Sequence, residues 1–443
     1  MKLVSSQKRP PWSSCAKACL APALILLVFV SLGQAEDDAK ARAKAVREYA
    51  KTGPSVVPQL APYVSDPDAG VRLEAVKALV QLGTQNSLDP LVKATTDNDA
   101  EIQIRATDGL VNFYLPGYVQ AGLTSSFKKF GTSIKSRFTD TNDQVIDPYV
   151  QVRPDIIQAL GKVARGGASM EARANASRAL GILRGRAAIP DLIQAIKSSD
   201  TEVNYEGLIA LQKIRDTSAG PEIVFRLRDP VEKVQIAAIE TTGILENRAA
   251  LNQLRDAMDR SKNQKVRRAA LTAIGMMSDP ASHGLLIYHL EEKDEAMRVA
   301  SLEGLARLKD PSDVGRLQNA FNNEKKPAGR MAAAFGEVSH GQREMTEFSP
   351  LRYLVNQLNS AAYHGVATAY LKELARDAAV REALYPVLQQ SATKDEKTGL
   401  AEVLAASGDR DSIPALEALS KDTNPDIAKE ALRALQSVRA RGM

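Results

Sequence analysis

One short pattern recurs along most of the chain and constrains the fold more than any other feature. Each copy has an acidic or polar turn, an apolar residue followed by arginine, and then apolar residues at helical spacing. The pattern is clearest in five segments: 66–83, 98–115, 168–185, 263–277 and 294–308. Five successive copies place one residue, called the landmark, at steps of 31, 31, 32 and 31: Arg173, Asn204, Gln235, Arg267 and Arg298. A fixed period of this length is typical of proteins built from stacked supersecondary units.

Each unit is predicted to contain two helices. The segment 187–200 is typical of the first helix, with Ile189, Leu192 and Ile196 on one face and Pro190 in the first turn. The second helix begins after the turn and carries a glycine eight residues past the landmark in several copies: Gly161, Gly181, Gly243 and Gly275. Because glycine costs about 1 kcal/mol inside a helix, its recurrence predicts close approach between neighbouring backbones.

This pattern resembles the HEAT repeats, and more particularly the bacterial HEAT-like repeats first described in phycobilin lyases. The resemblance covers residues 40–440 and implies an all-α, right-handed α-solenoid of about eleven helix pairs. It also implies a ladder of polar contacts between units, in which the turn aspartate meets the second-helix arginine, as in Asp66 or Asp68 with Arg72 and Asp294 with Arg298. The residues assigned to this structural ladder are Asp66, Arg72, Arg105, Arg153, Arg173, Arg267, Asp294 and Arg298.

Two places depart from the period. Residues 147–163 align with 66–82 without a gap, which puts Arg153 at the landmark and leaves an irregular insertion at 116–146. The helix at 153–165 is then predicted to be the second helix of one unit and also the first of the next. Residues 322–350 form a degenerate segment, for which we predict a bend or an exposed loop.

The insertion contains an aromatic and basic stretch at 122–138, for which three interpretations stay open. Leu123, Phe127, Phe130, Ile134 and Phe138 lie on one helical face, which favours a core helix. Alternatively, the stretch is an added helix that binds a partner, since interfaces are rich in aromatic residues and arginine, or a helix on a membrane surface. The candidate partner-binding residues are Phe127, Lys128, Lys129, Phe130, Lys135, Arg137 and Phe138.

The first 35 residues read as a secretory signal peptide. A basic stretch precedes the apolar run Cys19–Leu32, and small residues at Gly33 and Ala35 predict cleavage after Ala35. Both cysteines and the one tryptophan lie in this segment. Its removal takes away four basic residues and leaves 54 Lys and Arg against 53 Asp and Glu, so a general nucleic-acid binder is not expected. We predict no transmembrane segment in the mature chain.

Sequence patterns of catalysis are missing. The four histidines show no metal-ligand spacing, and neither a nucleophile elbow nor a phosphate-binding loop occurs. We therefore predict no catalytic residues, no metal and no cofactor. The Ser126–Lys129 and Lys397–Gly399 motifs match the sequence motifs of penicillin-binding enzymes but not their structural context. The second motif lies on a strand in those enzymes, whereas Lys397–Gly399 is expected between helices of a repeat.

The function predicted from these observations is that of an extracytoplasmic scaffold or adaptor in a bacterium, periplasmic or extracellular. Stacked repeats offer a long surface suited to a protein or peptide partner. The alternative is an enzyme or enzyme-accessory factor resembling the HEAT-like phycobilin lyases. Those lyases act on cytoplasmic pigment proteins, and the signal peptide argues against that alternative.

Overall fold

A computed structural model describes residues 37–119, 144–389 and 392–442. Within these ranges every regular element is a helix and no strand is present, as the helical spacing of the apolar residues predicts. In the same part of the chain, no helix combines the length and the apolar character that crossing a membrane requires. The chain divides after Ala94 into two compact units.

The first unit contains α1 (residues 37–50), α2 (Val57–Leu60), α3 (Ala69–Leu82) and α4 (Leu88–Ala94). The helix α3 begins at its N-cap Asp68, whose carboxylate accepts a hydrogen bond from the backbone N–H of Val71. It ends at Gly83, which adopts the left-handed conformation with a φ of 56°. Glycine is the usual residue at such a helix end because it has no Cβ to clash.

The second unit continues with α5 (Ala100–Tyr114), α6 (Pro154–Gly166), α7 (Met170–Ile182), α8 (Ile189–Ala195), α9 (Thr201–Ile214), α10 (Glu232–Ile244), α11 (Leu251–Arg260), α12 (Gln264–Met276), α13 (His283–Tyr288), α14 (Glu295–Leu308), α15 (Val314–Asn323), α16 (Pro327–Ser339), α17 (Pro350–Asn356), α18 (His364–Leu374), α19 (Ala378–Gln389), α20 (Lys394–Ser407), α21 (Ile413–Leu419) and α22 (Pro425–Arg441). Neighbouring second helices pack side by side: α5 on α7, α7 on α9, α9 on α10, α10 on α12, α12 on α14, and α14 on α16. This stack, continued by α18, α20 and α22, is called the second-helix row. The shorter helices between them form the first-helix row.

Glycines let the second helices approach closely. A Cβ on Gly181 would lie 2.8 Å from the Cα of Ala210, and one on Gly243 would lie 2.7 Å from the Cα of Ala273. A Cβ on Gly275 would lie 3.0 Å from the Cα of Gly304. The predicted close approach is confirmed at these three positions. Gly161 differs because its nearest neighbour is the side chain of Asp191.

The helix α6 does not have the double role that the gapless alignment predicts. It belongs to the first-helix row and packs on α7 and α8, while α5 packs directly on α7. Arg153 stands before the helix as its N-cap, with an extended backbone at φ −57° and ψ 132°. The reason is Pro154, because a residue that precedes proline is disfavoured in the helical region.

The segment predicted as a bend or loop at 322–350 is largely helical. It holds the end of α15 and all of α16, and its non-helical part is confined to residues 324–326 and 340–349. Arg330 on α16 follows Arg298 by 32 residues, so the period of the repeat continues there. Its guanidinium lies 4.8 Å from the ring centroids of both Phe321 and Tyr353, which joins α16 to the first helices on either side.

The last helix of the second unit contacts the segment that precedes α6. Arg433 on α22 donates to both carboxylate oxygens of Asp147, at 3.1 and 3.0 Å from Nε. The same segment is held on α7, because the backbone N–H of Ile146 donates to the carbonyl of Ile182 at 3.0 Å. The bonds between Arg433 and Asp147 connect residues that lie 286 positions apart in sequence.

Candidate functional site: a cleft at the ends of the second helices

The candidate partner-binding residues between Phe127 and Phe138 lie outside the described residues. The choice among a core helix, a partner-binding helix and a membrane-surface helix stays open there. Among the aromatic residues of the C-terminal part of the chain, Phe348 is 81% exposed. Tyr370 is buried and stacks on Phe335, and Tyr353 packs against Phe321.

Landmark arginines bind the turn that precedes their own helix. Nη1 of Arg72 donates to the carbonyls of Asp66 and Pro67 at 2.9 and 3.2 Å. Nη1 of Arg298 donates in the same way to the carbonyls of Glu292 and Lys293, at 2.8 and 3.2 Å. Each arginine thus satisfies carbonyl groups that the turn leaves without a helical partner.

The carboxylates of the turns pair with side chains of a neighbouring unit. Asp66 accepts from Arg42 at 2.8 and 3.0 Å, and Asp294 accepts from Arg268 at 2.9 Å and from Gln264 at 2.8 Å. Arg298 reaches forward to Glu324 at 3.0 and 3.2 Å. The predicted pairing of Asp294 with Arg298 is therefore wrong.

Arg105 does not occupy the landmark position of its helix. Gln103 stands four residues after the N-cap Asp99, as Arg72 does after Asp68. Its Nε2 donates to the carbonyl of Asp97 at 2.7 Å, and its Oε1 accepts from the backbone of Ala168 at 2.8 Å. Gln103 therefore makes the contact between units that the sequence assigned to Arg105, which instead pairs with Glu101 at 2.8 Å.

The remaining ladder residues are not equivalent to one another. Arg153 pairs with Asp155 at 2.6 Å beside the start of α6 and lies outside the second-helix row. Arg173 on α7 donates from Nε to the carbonyl of Ala164 at 3.2 Å. Arg267 lies half-buried on α12.

A cleft of about 390 Å³ lies at the C-terminal ends of α9, α10, α12, α14, α16 and α18. Part of its lining is apolar and comes from residues of five helices: Ile244, Met276, Phe335, Val338, Leu374 and Val380. Each of these six helices, together with the residues that follow its end, supplies one to four lining residues, so the cleft exists only when the units are stacked. Its volume falls in the range of pockets that hold small ligands or side chains of a partner.

Arg307 is fixed in the wall of the cleft by a paired network. It donates to both carboxylate oxygens of Glu373, at 2.9 and 3.0 Å, and to Glu303 at 3.4 Å. Burial lowers the pKa of Arg307, but the hydrogen bonds and charges of Glu373 and Glu303 outweigh it and leave the pKa raised. The guanidinium also lies 5.3 Å from the ring centroid of Phe335. The charge of Arg307 is therefore already satisfied within the protein.

Four residues at the rim have left-handed backbones without being glycine. Their φ angles lie between 49° and 57°, and they follow the ends of four successive second helices: Arg215, Glu246, Ser278 and Lys309. Gly83 occupies the corresponding position after α3. For a residue with a Cβ this conformation costs about 1–2 kcal/mol. Among the described residues, none of these four side chains makes a hydrogen bond or an ion pair.

The rim carries an excess of unpaired positive charge. Arg215, Lys309 and Arg376 are exposed and form no ion pair within the part of the chain that the structure describes. Of the three lining carboxylates, Glu373 is bound by Arg307, and Asp377 is bound by Arg343 at 2.7 Å. Glu246 has no such partner among the residues that the structure describes. An anionic group entering the cleft therefore meets three cations.

The described residues contain no group of three or more His, Cys, Asp or Glu side chains arranged to hold a metal ion. The histidines contact other protein groups instead, and His340 lies 2.8 Å from the carbonyl oxygen of Gly336 and 3.2 Å from that of Asp310. His283 lies 2.8 Å from a carboxylate oxygen of Asp313, and Nδ1 of His364 lies 2.6 Å from the carbonyl oxygen of Leu358.

Helix pairs that stack through their second helices define an α-solenoid repeat protein. The profile of the HEAT repeats matches residues 28–111, 157–243, 189–267 and 251–336. These ranges cover more than half of the sequence, and the chain therefore belongs to the HEAT-repeat family.

Several solved structures are similar to this chain. The complex of CpcE and CpcF of phycocyanin lyase from Nostoc sp. PCC7120 is 17% identical, with 60% of this chain and 92% of that chain covered and a TM-score of 0.37. Human deoxyhypusine hydroxylase is 21% identical, with 65% and 96% covered and a TM-score of 0.28. Importin beta is 12% identical, with 86% and 57% covered and a TM-score of 0.35. No curated protein matches the sequence.

Proposed function

We propose that this chain is an exported protein-binding scaffold that docks a partner protein in the cleft at the ends of the second helices. The observation that carries the proposal is the combination of an apolar lining with a rim of unpaired side chains at Arg215, Lys309 and Arg376. Buried apolar contacts surrounded by polar groups are the usual anatomy of a protein interface. The proposal assigns no catalytic step to the chain.

Export is part of the proposal and is supported by the layout of residues 1–35. The partner is accordingly an extracytoplasmic protein. The test therefore uses the full-length chain with a C-terminal affinity tag, recovered from the extracytoplasmic fraction of a bacterial host. The recovered protein is expected to begin at Glu36.

Reversing two rim charges, Arg215→Glu with Lys309→Glu, is expected to lower partner capture at least about tenfold, because rim charges govern attraction of a complementary surface. The matched control is Arg410→Glu with Lys421→Glu, which makes the same charge change at exposed residues outside the cleft. The measurement is quantitative mass spectrometry of proteins that co-purify with each form. Equal capture by the cleft variant and the control would remove the cleft from the proposal, and capture of no protein by the unmodified chain would remove the scaffold.

A further inference from the structure

We propose that the cleft recognises its partner through an acidic peptide segment whose carboxylates meet the rim cations and whose apolar side chain enters the lining. This inference rests on the proposed scaffold function and adds the chemistry of the partner. The first observation is the left-handed backbone of four rim residues: Arg215, Glu246, Ser278 and Lys309.

The four rim residues stand at positions where glycine would fit with less backbone strain. Gly83 shows that this chain uses glycine at the same point of a repeat, with a φ of 56°. Arg184 has the same backbone conformation, but its Nε donates to the carbonyl of Ile146 at 3.2 Å. The side chains of Arg215, Glu246, Ser278 and Lys309 have no comparable bond among the described residues. Backbone strain without an internal benefit is characteristic of residues kept for contact with a ligand.

The helix dipole does not account for this series. Basic side chains near a helix C-terminus are favoured, which would suffice for Arg215 and Lys309. Glu246 occupies the same position after α10, where a carboxylate is disfavoured, and Ser278 after α12 carries no charge. The dipole therefore explains two of the four positions.

The balance of charge favours an acidic occupant. Within the described ranges of the chain, Arg215, Lys309 and Arg376 surround one lining carboxylate without an ion pair, Glu246, since Glu373 pairs with Arg307 and Asp377 with Arg343. Lysine and arginine at such a rim attract carboxylates and hold them by charge-assisted hydrogen bonds.

The apolar lining favours a peptide over a simple anion. Ile244 and Met276 are half-buried and offer no donor to a phosphate or a sulfate, but they can contact an aliphatic or aromatic side chain. The occupant that fits both parts of the cleft is a peptide in which Asp or Glu residues flank an apolar residue.

Binding is tested with a pool of fluorescein-labelled nonapeptides that carry Asp or Glu at the second, third, seventh and eighth positions and Leu or Phe in the centre. One control pool replaces every acidic residue by Lys, and another replaces the central residue by Gly. Fluorescence anisotropy is measured with the mature full chain. The acidic pool is expected to bind, the basic pool to show no binding, and the glycine pool to bind several-fold more weakly.

The variants Arg215→Gly and Lys309→Gly separate binding from stability. Each is expected to weaken binding of the acidic pool about threefold to tenfold, while the melting temperature stays within about 2 °C or rises. Unchanged binding in both variants, or equal binding of acidic and basic pools, would overturn the inference. Loss of binding together with a lower melting temperature would also overturn it, because the side chains would then be structural. If the rim charge reversal abolishes partner capture but the acidic pool does not bind, the acidic peptide is excluded and the scaffold stands.

Discussion

Replacing Arg178 by Met is expected to lower the free energy of unfolding by about 3–5 kcal/mol, because it leaves a buried carboxylate without its counter-ion. Arg178 on α7 and Glu206 on α9 form an ion pair with two contacts of 3.3 Å. Their side chains are 4% and 0% exposed. The pair joins two neighbouring second helices. The measurement is urea denaturation at pH 7.5, followed by circular dichroism.

The loss in the free energy of unfolding is expected to be smaller at low pH. Burial raises the pKa of Glu206, although the charge and hydrogen bonds of Arg178 act in the opposite direction. Removing Arg178 raises this pKa further. A carboxyl whose pKa is higher in the folded state favours folding at low pH and loses that contribution as pH rises through the folded pKa. The difference between Arg178→Met and the unmodified chain should therefore be smaller at pH 5 than at pH 7.5.

A double variant provides the control. Arg178→Met with Glu206→Leu removes both charges, and it is expected to recover most of the lost stability, since apolar replacement of a buried pair is often neutral. A loss below about 1 kcal/mol in the single variant, or a double variant that is no more stable than the single one, would contradict the account of this pair.

The second large effect concerns the contact between helix backbones. Gly243→Ala is expected to destabilise the protein by about 2 kcal/mol, a typical cost of overpacking. Its Cβ would lie 2.7 Å from the Cα and 2.8 Å from the Cβ of Ala273 on α12, and backbone atoms cannot move aside. Elsewhere in a helix the same change is favourable.

Gly315→Ala is the matched control on α15, because a Cβ there has no heavy atom within 4 Å. It is expected to be neutral or to stabilise the protein by about 0.5 kcal/mol. Both variants are compared by urea denaturation. Equal stability of the two variants would show that the second helices are not limited by backbone contact at Gly243.

The repeat itself was predictable because helical periodicity and a fixed period leave few alternatives. The errors have local causes. Arg105 matches the landmark in residue type only. The landmark position of α5 is held by Gln103, which stands four residues after the N-cap Asp99. A gapless alignment puts Arg153 at the landmark inside a second helix, although the following Pro154 disfavours a helical conformation at Arg153. In both cases equivalent positions are identified by their distance from the N-cap of the helix and not by the spacing between arginines.

The cleft was not predictable in the same way. Its lining comes from residues about 31 positions apart, and each of them lies at a helix end, where the apolar periodicity stops. One sequence pattern does point to it. Lys309 stands where Gly83 stands in an earlier unit, and Arg215, Glu246 and Ser278 repeat this substitution. A helix end that repeatedly lacks its glycine is the feature that would have identified the rim.

Site-specific photo-cross-linking in the producing cell tests whether a partner protein docks in the cleft. Benzoylphenylalanine is placed at Lys309 in the cleft in one strain and at Lys421, outside the cleft, in another. We expect a partner protein to cross-link at Lys309 and the same protein not to cross-link at Lys421. A partner that cross-links from Lys421 and not from Lys309, or equally from both positions, would contradict docking in the cleft.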